Sequence, residues 1–245
     1  MRLTFDIISW GAWSPLYQEA LDWQHWQAPT TASPSPIKAP KLQQVPAMQR
    51  RRLSPLTKIL LAAAFQTNPP SQCRSIFSSQ HGEINRTMAL LNDITVSQGL
   101  SPTHFSQSVH NTASGIFSIL TKNYAPSTAI AAGTASLSQA LIEAYAQLNE
   151  NPEPILVVYG DEPVPSIFRT FNSQPEWPIA MAFVLKKQSK NLHLDSQYNP
   201  KLSIDINSKQ DTAELLHYGQ ILQALARKKP LVGLINHQLW SLTFD

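Results

Sequence analysis

Charge is scarce in this chain. Asp, Glu, Lys and Arg make up 14% of its 245 residues, against about 25% in an ordinary soluble domain. Hydrophobic residues reach 42%, so the shortage does not signal disorder. It points to a chain that buries more surface than a monomer needs, and hence to a partner. Cysteine is nearly absent. The lone Cys73 excludes an internal disulfide framework and any CxxC metal or redox motif. It suits a reducing compartment, so the expected location is cytoplasmic.

Glycine is also sparse, at 8 residues, which argues against a glycine-cradled phosphate site. No GxGxxG, P-loop lysine, HExxH or GxSxG pattern occurs. His104 and His110 stand apart from any second ligand pair, so no metal and no cofactor is expected. No uncharged apolar run approaches the roughly 20 residues of a membrane span. The opening MRLTFDIISWGAW carries Asp6 in its apolar stretch and lacks a small-residue cleavage site, so it does not read as a signal peptide. Net charge is +3 with basic residues scattered. Without a basic stripe interleaved with aromatics, nucleic acid is not an expected partner. The one dense cluster, Arg50 to Arg52, reads either as a solvated helix start or as a docking patch for an acidic carrier protein.

Strand and helix patterns alternate. Leu3, Phe5 and Ile7 repeat at period two, and a tryptophan-rich stretch with Trp10, Trp13, Trp23 and Trp26 follows as packing anchors. Residues 28–46 form a Pro-rich loop that interrupts the chain without dividing it. A helix is expected from Ser54, as N-cap, to Phe65, a strand over 74–78, and a helix over 83–95 with Ile84, Met88, Leu91 and Ile94 inward. Ser101 and Pro102 open a loop before a helix over 109–120. A small-residue strand covers 127–132, and Leu137 to Leu148 repeat at helical spacing. Residues 155–159 and 179–185 are continuous apolar runs, as in strands buried on both faces. Beyond 188 a strand over 202–206, a helix over 213–226 and a strand over 231–235 are expected. The class is α/β, layered on a central sheet, with 1–245 as a single domain and 188–245 as its divergent C-terminal segment.

Residues 101–148 read SPTHFSQSVHNTASGIFSILTKNYAPSTAIAAGTASLSQALIEAYAQL. This segment resembles the heart of the β-ketoacyl synthases of the thiolase-like fold. In that family SPxxFxxxxxN, with a glycine four residues on, precedes a Gly-Pro-Ser turn. A small-residue strand then leads to a nucleophilic cysteine at the start of a buried helix. Ser101, Pro102, Asn111, Gly115, Pro126 and Ser127 match, and the frame from Asn111 to Thr134 needs no gap. Weaker likeness covers MQRRRLSPLTKILLAAAF at 48–65 and the strands at 154–185. The family's glycine-rich motif is replaced over 78–84 by Ser-Ser-Gln-His-Gly-Glu-Ile. The likeness spans roughly residues 1–187. It implies a thiolase-like fold, essentially one βαβαβ half with a short extra C-terminal segment.

Two departures bear on function. Thr134 stands where the cysteine would be. A thiolate can be stabilised at a buried helix N-terminus, whereas an alcohol there stays protonated without a base. The family's second half, which supplies the supporting histidines, has no counterpart; His193, His217 and His237 fall in no family motif. The runs DIISWGAWSP, PAMQRRRLSPL, SSQHGEINRT and SVHNTASGIFS resemble short ketoacyl synthase-like proteins of the chain-length-factor kind, found with aryl-polyene and related type II fatty-acid-like pathways.

The resemblance implies a non-catalytic subunit that pairs with a catalytic β-ketoacyl-ACP synthase and shapes its acyl tunnel, with acyl carrier protein involved indirectly. Ser127, Ala129 and Ala131 would lie on the pairing strand, with Asn111 and Thr134 beside it. Gln80, His81, His104 and Phe105 would wall the tunnel, where bulk limits chain growth. Ordinary core or interface packing is the competing reading for each. The alternative function is a stand-alone acyl-thioester transferase or hydrolase using Thr134, Ser136 or Ser138 with a histidine.

Overall fold

The computed structural model describes residues 1–30, 38–171, 177–188, 199–206 and 213–244. Its elements are β1 (Arg2–Trp13), α1 (Ala47–Arg50), α2 (Pro55–Gln66), β2 (Arg74–Ser78), α3 (Ile84–Thr95), α4 (Pro102–Ser106), α5 (Thr112–Thr121), β3 (Ser127–Ile130), α6 (Ser136–Glu150), β4 (Ile155–Asp161), β5 (Ile179–Lys187), β6 (Lys201–Asp205), α7 (Tyr218–Arg227), β7 (Leu231–Ile235) and β8 (Gln238–Thr243). The eight strands form one sheet in the order β3-β2-β4-β5-β1-β6-β8-β7. β2, β3 and β4 run parallel to one another, and the other pairings are antiparallel.

The two apolar runs form the middle of this sheet because both of their faces can be buried. Ile155, Val157, Met181 and Phe183 point into a core shared with α6 and α7. Leu156, Val158, Ala182 and Val184 point into a second core shared with α2 and α5. The side-chain period of two thus divides each strand between two helical layers. Ser54 caps α2 by accepting from the Thr57 backbone N–H at 2.9 Å, with Pro55 at the first helical position. Gly11 on β1 lets α2 sit close, since a Cβ there would stand 2.4 Å from the Ala63 carbonyl oxygen.

Several expectations change. β1 runs on through the tryptophans to Trp13, beyond the alternating stretch. Trp13 and Trp23 are fully buried anchors, whereas Trp10 and Trp26 are half-buried. Ser101 and Pro102 open the short helix α4 rather than a loop, and α5 begins only at Thr112. β3 ends at Ile130, two residues early. α3 exists as expected, but Leu91 and Ile94 are exposed and only Leu90 is buried. Periodicity identifies an apolar face without saying whether this chain or another covers it. The expected Pro-rich loop over 28–46 falls partly on residues 31–37, which lie outside the described residues.

Residues 199–206 and 213–244 extend the sheet by three strands. β6 pairs with β1, and the hairpin β7–β8 follows. The helix expected from Ala213 begins at Tyr218, and the segment before it runs along β7: the Leu216 N–H donates to the Leu234 carbonyl at 2.8 Å, and the Leu234 N–H to the Glu214 carbonyl at 2.7 Å. β8 was not foreseen. It is short, and only a two-residue turn separates it from β7.

Candidate functional site

β3 is an edge strand, with β2 on one side and no strand on the other among the described residues. The carbonyls of Pro126 and Ile130 accept from the backbone N–H groups of Ser75 and Ser79. Successive residues of a strand turn their polar groups to opposite sides. Ser127 and Ala129 therefore aim their own N–H and C=O groups away from the sheet. Both residues are exposed, as is Ala131 beyond the strand end. The Ser127 and Ser75 hydroxyls hydrogen-bond at 3.1 Å, tying the edge to β2. Exposed apolar side chains flank it: Ile119 on α5, and Tyr124 just before β3 at 87% exposure.

The turn from β3 into α6 holds Gly133, at φ +57°, and the exposed Thr134. The Ser136 hydroxyl donates to the Gly133 carbonyl and accepts from the Ala132 N–H. The Ser138 hydroxyl donates to the Ala135 carbonyl. Both serines thus stabilise the helix start. Among the described residues no hydrogen bond joins Thr134, Ser136 or Ser138 to a histidine. The Thr134 carbonyl accepts from the Asn236 side-chain amide and from the Tyr218 hydroxyl at 3.4 Å. Cys73 does not replace the missing thiol. It is buried, donates to the Pro154 carbonyl, and burial pushes its pKa up.

A second turn, Ser79 to Glu83, sits at the end of β2 and carries Gln80 and His81, both half-buried. Asp161, at the end of β4, holds it. Its carboxylate accepts from the Ser79 hydroxyl at 2.6 Å, the Gln80 N–H at 2.9 Å and the His81 N–H at 3.2 Å. The ring of His110 hydrogen-bonds the Ser79 carbonyl at 3.1 Å. Gly82 has φ +54°, and a Cβ there would meet that same ring at 2.9 Å.

Below this turn lie two more buried carboxyls. Glu83 accepts from the Ser54 and Thr57 hydroxyls at 2.7 Å each and lies 3.8 Å from the Arg86 guanidinium. Burial nevertheless pushes its pKa up. Burial pushes Glu162 up to about 7; the Asn85 side chain opposes the rise, and Glu83 and Asp161 add to it.

The remaining sequence candidates are more dispersed. His104 and Phe105 ride on α4, whose neighbour is α3; both are exposed, Phe105 at 64%. Asn111 caps α5 through its carbonyl, which accepts from the Gly115 N–H and the Ser114 hydroxyl. Arg50 and Arg51 line an open groove of about 500 Å³ with Lys41 and Lys58. Burial, then Arg86 and Arg50, lower the Lys58 pKa. Asp161, Glu162, Tyr218 and Asn236 went unnoticed in the sequence. The acidic pair closing an apolar strand was a usable signal for the first two; nothing local marks the others.

The sequence profile of the family described as "Beta-ketoacyl synthase, N-terminal domain" matches residues 23–241. No curated protein matches the chain. Among solved structures, the ketosynthase ApeO in complex with its chain length factor ApeC from Xenorhabdus doucetiae is similar at a TM-score of 0.78 and 26% identity, over 98% of this chain and 99% of the matched one. The ishigamide ketosynthase/chain length factor gives a TM-score of 0.64 at 15% identity, over 83% and 68%. The module 1 ketosynthase of the bacillaene synthase from Bacillus amyloliquefaciens FZB42 gives 0.59 at 14% identity, and there 86% of this chain covers 47% of the other.

Proposed function

The chain belongs to the β-ketoacyl synthase N-terminal domain family and has a thiolase-like fold of about half ketosynthase size, and we propose that it is a non-catalytic chain-length-factor subunit of a catalytic β-ketoacyl-ACP synthase. The observation that carries this reading is the free β3 edge. Among the described residues, no strand pairs with the outward backbone groups of Ser127 and Ala129, and the strand carries little side-chain bulk, the condition for pairing with a strand of another chain. Thr134 keeps the position of the nucleophile without its thiol. The two serines beside it are engaged in the turn, so the alternative of a stand-alone acyl transferase or hydrolase lacks an activated nucleophile.

In this reading the exposed Phe105 and His104, with Gln80 and His81 on the Asp161-held turn, meet the partner and wall its acyl tunnel. Apolar surface on α3 and α4, including Leu91 and Ile94, becomes covered at the same time. Acyl carrier protein enters as the bearer of the partner's substrate. A type II fatty-acid-like or aryl-polyene pathway is the setting that the sequence resemblance suggests, and the lone Cys73 suits a cytoplasmic location. Among the described residues no helix is long and apolar enough to cross a membrane.

Co-expression with a catalytic ketosynthase of the same organism, followed by size exclusion, tests the pairing. A stable complex is expected, with no turnover of acyl-carrier thioesters by the purified chain alone. A monomer that ignores the ketosynthase would overturn the reading. Phe105→Ala in the complex is expected to lengthen the products; an unchanged product distribution would remove Phe105 from the tunnel.

A further inference from the structure

The C-terminal segment reaches the site in an unexpected place. Tyr218, at the start of α7, and Asn236, in the turn between β7 and β8, both donate to the carbonyl of Thr134. They stand 84 and 102 residues away from it in sequence. Each is held from behind. Asn236 and His237 have φ +50° and +62°, the two left-handed positions of a tight hairpin turn. The Tyr218 ring packs edge-on to Tyr159 at 5.1 Å, and the Tyr159 hydroxyl faces both the Tyr218 hydroxyl and the Asp161 carboxylate. Burial pushes Tyr218 up to about 12, so it stays protonated and available as a donor.

Asp161 is also the group that holds the Ser79–Glu83 turn. One chain of contacts, from Asn236 and Tyr218 through Tyr159 to Asp161, therefore touches the turns at the ends of both β2 and β3. The turn after β3 needs such support. Gly133 has no atom within 4 Å of where its Cβ would be, and Thr134 is exposed. Among the described residues, order there comes from the start of α6, a bridge between Ala132 and Thr134, and these two donors.

We propose that Tyr218 and Asn236 are positioning residues that hold the Gly133–Thr134 turn, and through it the free edge of β3, in the form the partner ketosynthase binds. This rests on the reading of β3 as the docking edge. It gives residues 213–244 a role beyond completing the sheet: they brace the turn from outside the βαβαβ half.

The test uses the full chain with Asn236→Gly, which keeps the left-handed backbone accessible and removes the amide, and with Tyr218→Phe as a second variant. Backbone exchange at Ala135 and Ser136, whose N–H groups close this turn, is expected to quicken about tenfold in either variant, while thermal unfolding moves little. Affinity for the ketosynthase is expected to fall about tenfold, the loss of roughly one hydrogen bond. Unchanged exchange at these amides would overturn the inference. So would faster exchange spread over the whole sheet with a matching loss of stability, which marks an ordinary fold contact. Ala129→Pro, which strikes the edge itself, separates the two levels. If it abolishes binding while Asn236→Gly and Tyr218→Phe bind like the parent, the brace is refuted and docking stands. If it binds normally, the docking reading falls, and the inference with it.

Discussion

The two edges of this sheet are finished differently. At β7, the segment before α7 lies along the strand and takes both the N–H and the C=O of Leu234. Gly233 makes this possible, because a Cβ there would stand 2.4 Å from Leu216 and 2.7 Å from the Glu214 carbonyl. At β3, Ser127 and Ala129 face outward with no covering segment among the described residues. Proteins ordinarily blunt sheet edges, since a bare strand invites pairing. One edge is covered by the chain's own backbone and the other by no described residue, a contrast that the proposed docking role explains.

Three carboxyls add to the contrast. Asp161, Glu83 and Glu162 lie behind the turn next to the open edge, where Arg86 is the cation facing the last two. Glu83 and Asp161 add to the rise of the Glu162 pKa, as like charges do around a buried group.

The largest expected effect breaks the comparison at β3. Ala129→Pro removes an outward N–H without touching the ladder to β2, a position where edge strands tolerate proline. Binding to the ketosynthase should drop by about 100-fold: one backbone hydrogen bond is lost with the N–H, and the ring crowds the facing strand enough to break the neighbouring one. The chain's own unfolding midpoint should shift little, and calorimetry on the parent chain and the variant checks this.

Next comes Glu162. Its folded pKa of about 7 lies above the ordinary carboxyl range, so the stability it contributes is complete below about pH 4.5 and is lost as the pH rises through 7. Glu83 shifts in the same direction. Denaturant unfolding should show a chain more stable at pH 5 than at pH 8, by up to about 3 kcal/mol from Glu162. Glu162→Gln should flatten that slope; an identical slope in the variant would show that Glu162 is not the group responsible.

On the covered edge, Gly233→Ala should displace the segment over β7 and destabilise the chain by about 1–3 kcal/mol. The uncovered strand should then promote self-association, seen by light scattering, while ketosynthase binding persists. Smallest is His237→Gly. A β-carbon in the left-handed region costs about 1 kcal/mol, so glycine should stabilise the β7–β8 hairpin by about that amount in thermal unfolding.

The central strands, α2 and α6 were legible because their patterns are local: apolar runs, a Ser-Pro cap and a three-four repeat. The strand that carries Ser127 and Ala129 and the turn that carries Thr134 were legible through an ungapped family frame, although Ala131 falls just beyond the strand. The inward face of α3 was misjudged because periodicity does not distinguish a buried apolar face from an exposed one. The start of α7 was misplaced because Glu214 and Leu216 bond to Leu234 of β7 instead of coiling, a tertiary choice that local propensity does not encode. Tyr218 and Asn236 were invisible for the same reason: their partner is a carbonyl about a hundred residues away, and a backbone carbonyl leaves no trace in sequence.

One titration tests the account most directly. Val232 occupies on β7 the outward position that Ala129 occupies on β3, since Leu234, two residues on, points its polar groups away from the sheet. The catalytic ketosynthase of the same organism would be titrated with the parent chain, Ala129→Pro and Val232→Pro. The account predicts parent-like affinity for Val232→Pro and a loss of about 100-fold for Ala129→Pro. Equal binding by all three, or loss with Val232→Pro alone, would contradict it.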